Sequence, residues 1–266
     1  MLECQLHIHD QKGACLAKTE WSAFPILVYY GAYNPGDNIQ LEVRSAGSFF
    51  EIQLEDSMQP AIVYLSGDTL RFDIPFDEQR APYSPKAFTG KLHMITAKQA
   101  DESVIYAHRN LALNPYDGTA IRHVYPHASA NIETRGEAVF AARNTIDGIY
   151  ANSFHGEYPY TSWGINRDPQ AALKIDLGVP CLVDEVHLTL RADFPHDNYW
   201  TGATLDFSDG GSETVDLVRS PLPQSFYFSE RKVQWVVLHE LIQSDDPSPF
   251  PALTQIELWG TVFRNN

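Results

Sequence analysis

The sequence predicts an all-β chain built as two β-sandwich domains. Apolar and polar residues alternate with a period of two in segment after segment, turn-forming residues fall between those segments, and only one stretch looks helical. In "LHIHD", Leu6 and Ile8 face one side of a strand while His7 and His9 face the other. In "NIQLEVR", Ile39, Leu41 and Val43 alternate with Gln40, Glu42 and Arg44, and "LRFDI" repeats the pattern with Leu70, Phe72 and Ile74. In "VHLTLR", Val186, Leu188 and Leu190 alternate with His187, Thr189 and Arg191. This is the signature of half-buried antiparallel strands. "NPGD" (Asn34 to Asp37) supplies a turn before the second of these runs, and "SDGG" (Ser208 to Gly211) joins "TLDF" to "TVDL" as a hairpin. The helical stretch is "GEAVFAARN", Gly136 to Asn144, which stops at an "IDG" turn. The turn cluster "NPYDG" (Asn114 to Gly118) separates the halves, giving domains over 1–119 and 120–266.

Composition narrows the function classes. With 44% hydrophobic residues the chain can bury a core, and its longest apolar run, near Phe24 to Tyr30, is too short to span a bilayer. A formal net charge of −15 repels phosphate backbones and anionic lipid, which argues against nucleic-acid binding and membrane insertion. The start, "MLECQLHIHDQKG", lacks a basic stretch followed by an apolar one, so the sequence reads as cytoplasmic. Cys4, Cys15 and Cys181 form no CxxC pair, which suits a reducing compartment, and each reads as a small buried hydrophobe. His7 and His9 stand as in the early His-x-His of metal-dependent amidohydrolases. Those enzymes need a strand–helix barrel, so two surface histidines on a strand are the better reading here.

The second half carries more specific blocks. "ASANIETRGEAVFAARNTIDG", "SWGINRDPQAALKIDLG" and "LTQIELWG" occur in that order. Together they resemble the discoidin-like, coagulation-factor C-type domains and the family 32 carbohydrate-binding modules, from about Val124 to Phe263. The resemblance implies an eight-stranded β-sandwich jelly roll that holds ligands in loops at one end. It also implies a structural calcium near the "IDG" turn. Asp147 matches the family's ligand aspartate and Glu257 the glutamate of the last strand, with Asn152 as a further oxygen donor and Arg143 or Asn144 giving a carbonyl. Calcium takes six to eight such oxygens. The alternative for Asp147 is an Asx-type turn before Gly148.

Sugars are held by aromatic rings and by planar side chains that bond hydroxyl pairs. Arg191 matches an arginine that many family 32 modules place on a sugar. The loop after it adds Asp193, His196, Asp197, Asn198 and Trp200, and the loop before Trp163 adds His155, Tyr158 and Tyr160. A third loop, "QSDDPSPFPAL", adds Asp245 and Asp246. Arg191 could instead pair with Asp193 or Asp197, Trp163 matches a core tryptophan of the family, and Trp200 and Trp259 could likewise be buried. The resulting expectation is a non-catalytic carbohydrate-binding protein. The alternatives are a glycan-active hydrolase or lyase using the loop carboxylates and histidine, and a protein-interaction module. Residues 1–119 give no functional motif.

Overall fold

The computed structural model describes residues 2–264. The quoted alternating segments all form strands, at Cys4–His9, Asn38–Val43, Thr69–Asp73 and the end of Leu173–Leu190. Their apolar positions are the buried ones: Ile39, Leu41 and Val43 are buried, while Gln40 and Glu42 stay half-exposed. The "SDGG" hairpin also forms, with Asp206 opposite Ser212.

The first half stacks two antiparallel sheets. One is ordered Cys15–Lys18, Cys4–His9, Asn38–Val43, Thr69–Asp73. The other is ordered Val124–Tyr125, Ala61–Leu65, Ser48–Gln53, His93–Gln99, Ile26–Tyr29. Leu6, Ile8 and Leu41 from the first meet Phe50, Val63 and Ile95 from the second in a single core.

The second half is one eight-stranded antiparallel sheet folded back on itself. Its two long strands, Leu173–Leu190 and Gln224–Gln243, pair with each other in both layers. In one layer Leu173 to Asp176 lies between His127–Ala130 and residues 235–238. In the other layer Cys181 to Leu190 lies between the Ala252–Val262 strand and the start of Gln224–Gln243. The register breaks between Asp176 and Cys181, where the strand turns the corner between layers. Gly178 at that corner has φ +74°, and a Cβ there would sit 2.4 Å from the Tyr125 ring. Only glycine meets both constraints. Trp163, Trp200, Leu188 and Phe207 fill the space between the layers.

The two cores are interlaced in sequence. Ala100, Ile105, Leu111 and Ala112 pack in the second core, whereas Tyr116, Ile121 and Val124 pack in the first. Arg109–Asn110 pairs with the last strand, and Val124–Tyr125 pairs back onto Ala61–Leu65. Arg143 fastens this crossing. It is buried, donates to the carbonyls of Pro115 and Asp117, and lies over the ring of Tyr83 in the "QRAPYSPKAF" loop.

Two expectations need correction. No helix forms over Gly136–Asn144; Ala138–Phe140 and Ala142–Ile146 are 3-10 turns. Side chains from elsewhere hold this backbone. The Glu133 carboxylate accepts from the Ala142 N–H, and the Asn144 amide donates to the carbonyls of Ala138 and Ser162. Such bonds compete directly with a helical ladder. Cys4 and Cys181 are buried, but Cys15 is exposed. Among the described residues no helix is long and apolar enough to cross a membrane.

Gly178→Ala is expected to lower stability by roughly 1–3 kcal/mol, because it adds both a positive-φ penalty and a clash. A lower urea midpoint at unchanged slope would report it.

Candidate functional site

Loops at one end of the second sandwich close around a buried ion pair. Arg191 follows directly on the strand Leu173–Leu190, and its Nε and Nη2 donate to the two Asp197 carboxylate oxygens at 2.8 and 2.5 Å. Nη2 also donates to the Phe250 carbonyl at 3.1 Å, and Nη1 reaches Ser162 Oγ at 3.4 Å. Asp197 in turn accepts the N–H of Asp193. The pair therefore ties together three loops, those carrying Ser162, Asp193 to Asn198, and Phe250. Asn198 extends the tie: its buried amide donates to the carbonyls of Asp246 and Ser248.

A column of planar groups stands on this base. His155 Nδ1 lies 2.9 Å from an Asp193 oxygen, which orients the ring. His155 stacks on His196 with ring centroids 4.2 Å apart, and His196 stacks on Phe250 at 5.6 Å. The Arg167 guanidinium sits 4.7 Å from the Phe250 centroid. Arg167 and its neighbour Asn166 both hold positive φ, at 61° and 50°, without being glycine. Backbone strain of this kind is concentrated at functional sites.

These groups border a cavity of about 540 Å³, a size that takes small ligands. Arg135, Arg167, Arg191, His155 and His196 all line it, and no carboxylate does. That is a local inversion in a chain with 34 acidic and 19 basic residues. The carboxylates lie behind the lining, with Asp197 on Arg191, Asp193 on His155 and Glu137 on Arg135. Among the described residues Arg167 has no hydrogen-bond or ion-pair partner. A second depression of about 810 Å³ adjoins the first, sharing Arg135, Phe140 and His155, and it is bordered by Asp77, Glu78, Glu137 and Glu157. The cleft is thus cationic at one end and acidic at the other.

Of the residues expected at a sugar site, His155, His196 and Arg191 border the cavity. Asp193, Asp197 and Asn198 act one layer back, as orienting or loop-tying groups. Trp200 does not take part: it is fully buried, packed 6.3 Å from Trp163 in the core, because its strand turns it inward. Tyr158 and Tyr160 point elsewhere. The Tyr158 N–H donates to the Ala81 carbonyl, which turns its side chain toward Gln59, Tyr83 and Arg143 in a separate cavity. Tyr160 packs on Phe154. Arg167 and Phe250 are functional candidates that sequence reasoning passed over. Their signals are slight: Arg167 sits in "GINRDP", between a strand and a turn, and Phe250 sits between two prolines.

The residues expected to hold calcium are engaged with other partners. Asn152 donates its amide to the carbonyls of Leu190 and Pro221. Glu257 lies beside Trp259 Nε1 and His187. Asp147 Oδ1 instead accepts from its own Asx turn, at the Ile149 N–H, and from Gln255 Nε2. That amide nitrogen also lies 2.6 Å from the Asn144 carbonyl and 2.7 Å from the Thr254 carbonyl, while Gln255 Oε1 accepts from the Gly148 N–H. A neutral donor thus occupies the centre of the oxygen cluster where a cation would bind. Asp147 Oδ2 is buried there without a partner among the described residues, and burial pushes this carboxyl up to about 6 while Arg143 pulls it down.

No protein-family model and no curated protein matches the sequence. Among the solved structures similar to part of it are the following three. Chitosan-binding module 1 of a chitosanase/glucanase from Paenibacillus sp. IK-5 is 20% identical over 57% of this chain and 100% of its own, with a TM-score of 0.38. The family 32 module of C. perfringens NanJ, in complex with galactose, is 20% identical over 50% and 91%, with a TM-score of 0.39. A Streptococcus pneumoniae fucose-binding module is 15% identical over 59% and 99%, with a TM-score of 0.41.

Calcium is expected to leave the thermal midpoint within about 1 °C of its value in EGTA, since a ligand shifts stability only by binding the native state. Gln255→Glu, which sets a carboxylate beside Asp147 in place of the amide donor, is expected to lower the midpoint in EGTA and make it rise with calcium. A calcium-dependent rise in the unmodified protein would contradict the amide-centred turn.

Proposed function

We propose that the second sandwich binds a carbohydrate without turning it over, at the cleft above the Arg191–Asp197 pair, and that the preferred sugar carries a carboxylate. One observation carries the reading: a cavity lined by three arginines and two histidines, with no acid among its walls, beside an aromatic ring in a strongly acidic chain. Planar donors recognise carboxylates and vicinal hydroxyls, and the walls of a stacked column offer apolar edges to sugar C–H groups. The resemblance of the "NTIDG", "KIDLG" and "IELWG" blocks to sugar-binding modules supports the same reading. The unpaired guanidinium of Arg167 is the chief ligand contact; Arg191, its donors largely engaged, positions the loops.

The His155–Asp193 pair favours a second reading, a lyase. A uronate lyase removes the proton α to the sugar carboxylate and expels the glycosidic oxygen, leaving a C4–C5 double bond. An arginine beside the carboxylate and a carboxylate-oriented histidine suit that step. Unsaturated product, followed by its ultraviolet absorbance, would replace the binding reading with this one.

Calorimetric titration of the full chain with oligogalacturonate and with a neutral galacto-oligosaccharide tests the proposal. The acidic glycan is expected to bind at least tenfold more tightly, with affinity falling as salt rises. Arg167→Ala is expected to weaken it about tenfold or more while moving the thermal midpoint little, because its charge makes no ion pair or hydrogen bond and loses only an exposed contact with the Phe250 ring. Binding to neither glycan would overturn the proposal.

A further inference from the structure

The histidines of "LHIHD" are not an ordinary solvated pair. The strand Cys4–His9 pairs with Cys15–Lys18, with His9 opposite Cys15 and a bulge between Ile8 and His9. The two imidazoles stack with centroids 5.5 Å apart and planes within 12°. His7 Nε2 and His9 Nδ1 are both buried, and neither has a hydrogen-bond partner. Buried ring nitrogens without partners are rare and call for an explanation. The exposed Cys15 thiol stands beside them, and one ligand atom from each of His7, His9 and Cys15 lies within 4.8 Å of the other two. On the opposite flank, away from Cys15, Glu42 of the neighbouring strand lies 3.8 Å from His7 Nε2.

We propose that His7, His9 and Cys15 form a binding site for a borderline-soft divalent cation of the zinc class on the outer face of the first sandwich, with the fourth position open to solvent. Two imidazoles and a thiolate, with water in the fourth position, are donors that a tetrahedral zinc site uses, and a mixed nitrogen–sulfur set selects against magnesium and calcium. The strand pair fixes His9 and Cys15 across from each other, and the period of two places His7 beside His9. Binding replaces the missing partners of the two ring nitrogens and releases the thiol proton of Cys15 to solvent. The site lies outside the carbohydrate cleft and does not depend on it.

Cobalt(II) titration of the full, reduced chain tests this. The expected result is one cobalt per chain with intense near-ultraviolet thiolate-to-metal charge-transfer absorption, displaced by equimolar zinc. Cys4 and Cys181 are buried, and burial pushes their thiols up to about 11 and about 12, so the sulfur band reports Cys15 alone. Cys15→Ser is expected to abolish that band, and His9→Gln to weaken binding at least tenfold, each without moving the far-ultraviolet circular dichroism. His155→Ala is expected to change neither, which separates the site from the stacked histidines of the cleft. Cobalt binding without a sulfur band, or a band that survives Cys15→Ser, would overturn the proposal.

Discussion

The buried Arg191–Asp197 pair is the constraint on which the rest of the cleft depends. Both side chains are almost wholly buried, so each requires the other. The bidentate geometry fixes the end of one strand against the loop that follows it, and the remaining Arg191 donors reach the loops of Ser162 and Phe250. Because Phe250 is placed this way, His196 has a ring to stack on, His155 stacks on His196, and Arg167 has an aromatic support. A salt bridge of this kind contributes little net stability, but removing one partner strands a buried charge at a cost of about 3–5 kcal/mol. Its effect here is to specify one arrangement of loops that have almost no regular structure of their own.

The strands were legible because burial on one face imposes a period of two, and Ile39, Leu41 and Val43 are buried as that period requires. Three residues grouped from the sequence, His155, Arg191 and His196, do border one cavity. Which way each loop side chain points was not. Tyr158 is drawn toward the first sandwich by a backbone hydrogen bond to Ala81, a partner far away in sequence. Trp200 lies at the first position of a strand, where one residue of register decides between core and cleft. The stretch Gly136–Asn144 has helical propensity, but Glu133 and Asn144 satisfy its backbone in another way. Arg167 was hidden because its importance lies in having no partner, a property of the fold and not of the residue type.

The turn around Asp147 shows how a familiar pattern can hold a different chemistry. Its backbone carbonyls and carboxylate converge, yet the Gln255 amide bridges them. An amide offers two protons and no charge, and it orders the turn through hydrogen bonds to these oxygens. Gln59, from the first sandwich, donates to the Asp147 carbonyl, and Arg143 anchors the chain crossing nearby. The same turn therefore braces the junction between the sandwiches.

Hydrogen exchange of Arg191→Met tests the central claim most directly, because methionine keeps the bulk and removes the donors. The account predicts that amides of 193–199 and 245–251 lose protection together, while the strands Cys4–His9 and Asn38–Val43 keep theirs. Unchanged protection in both loops would show that they hold their shape without the ion pair, and would contradict it.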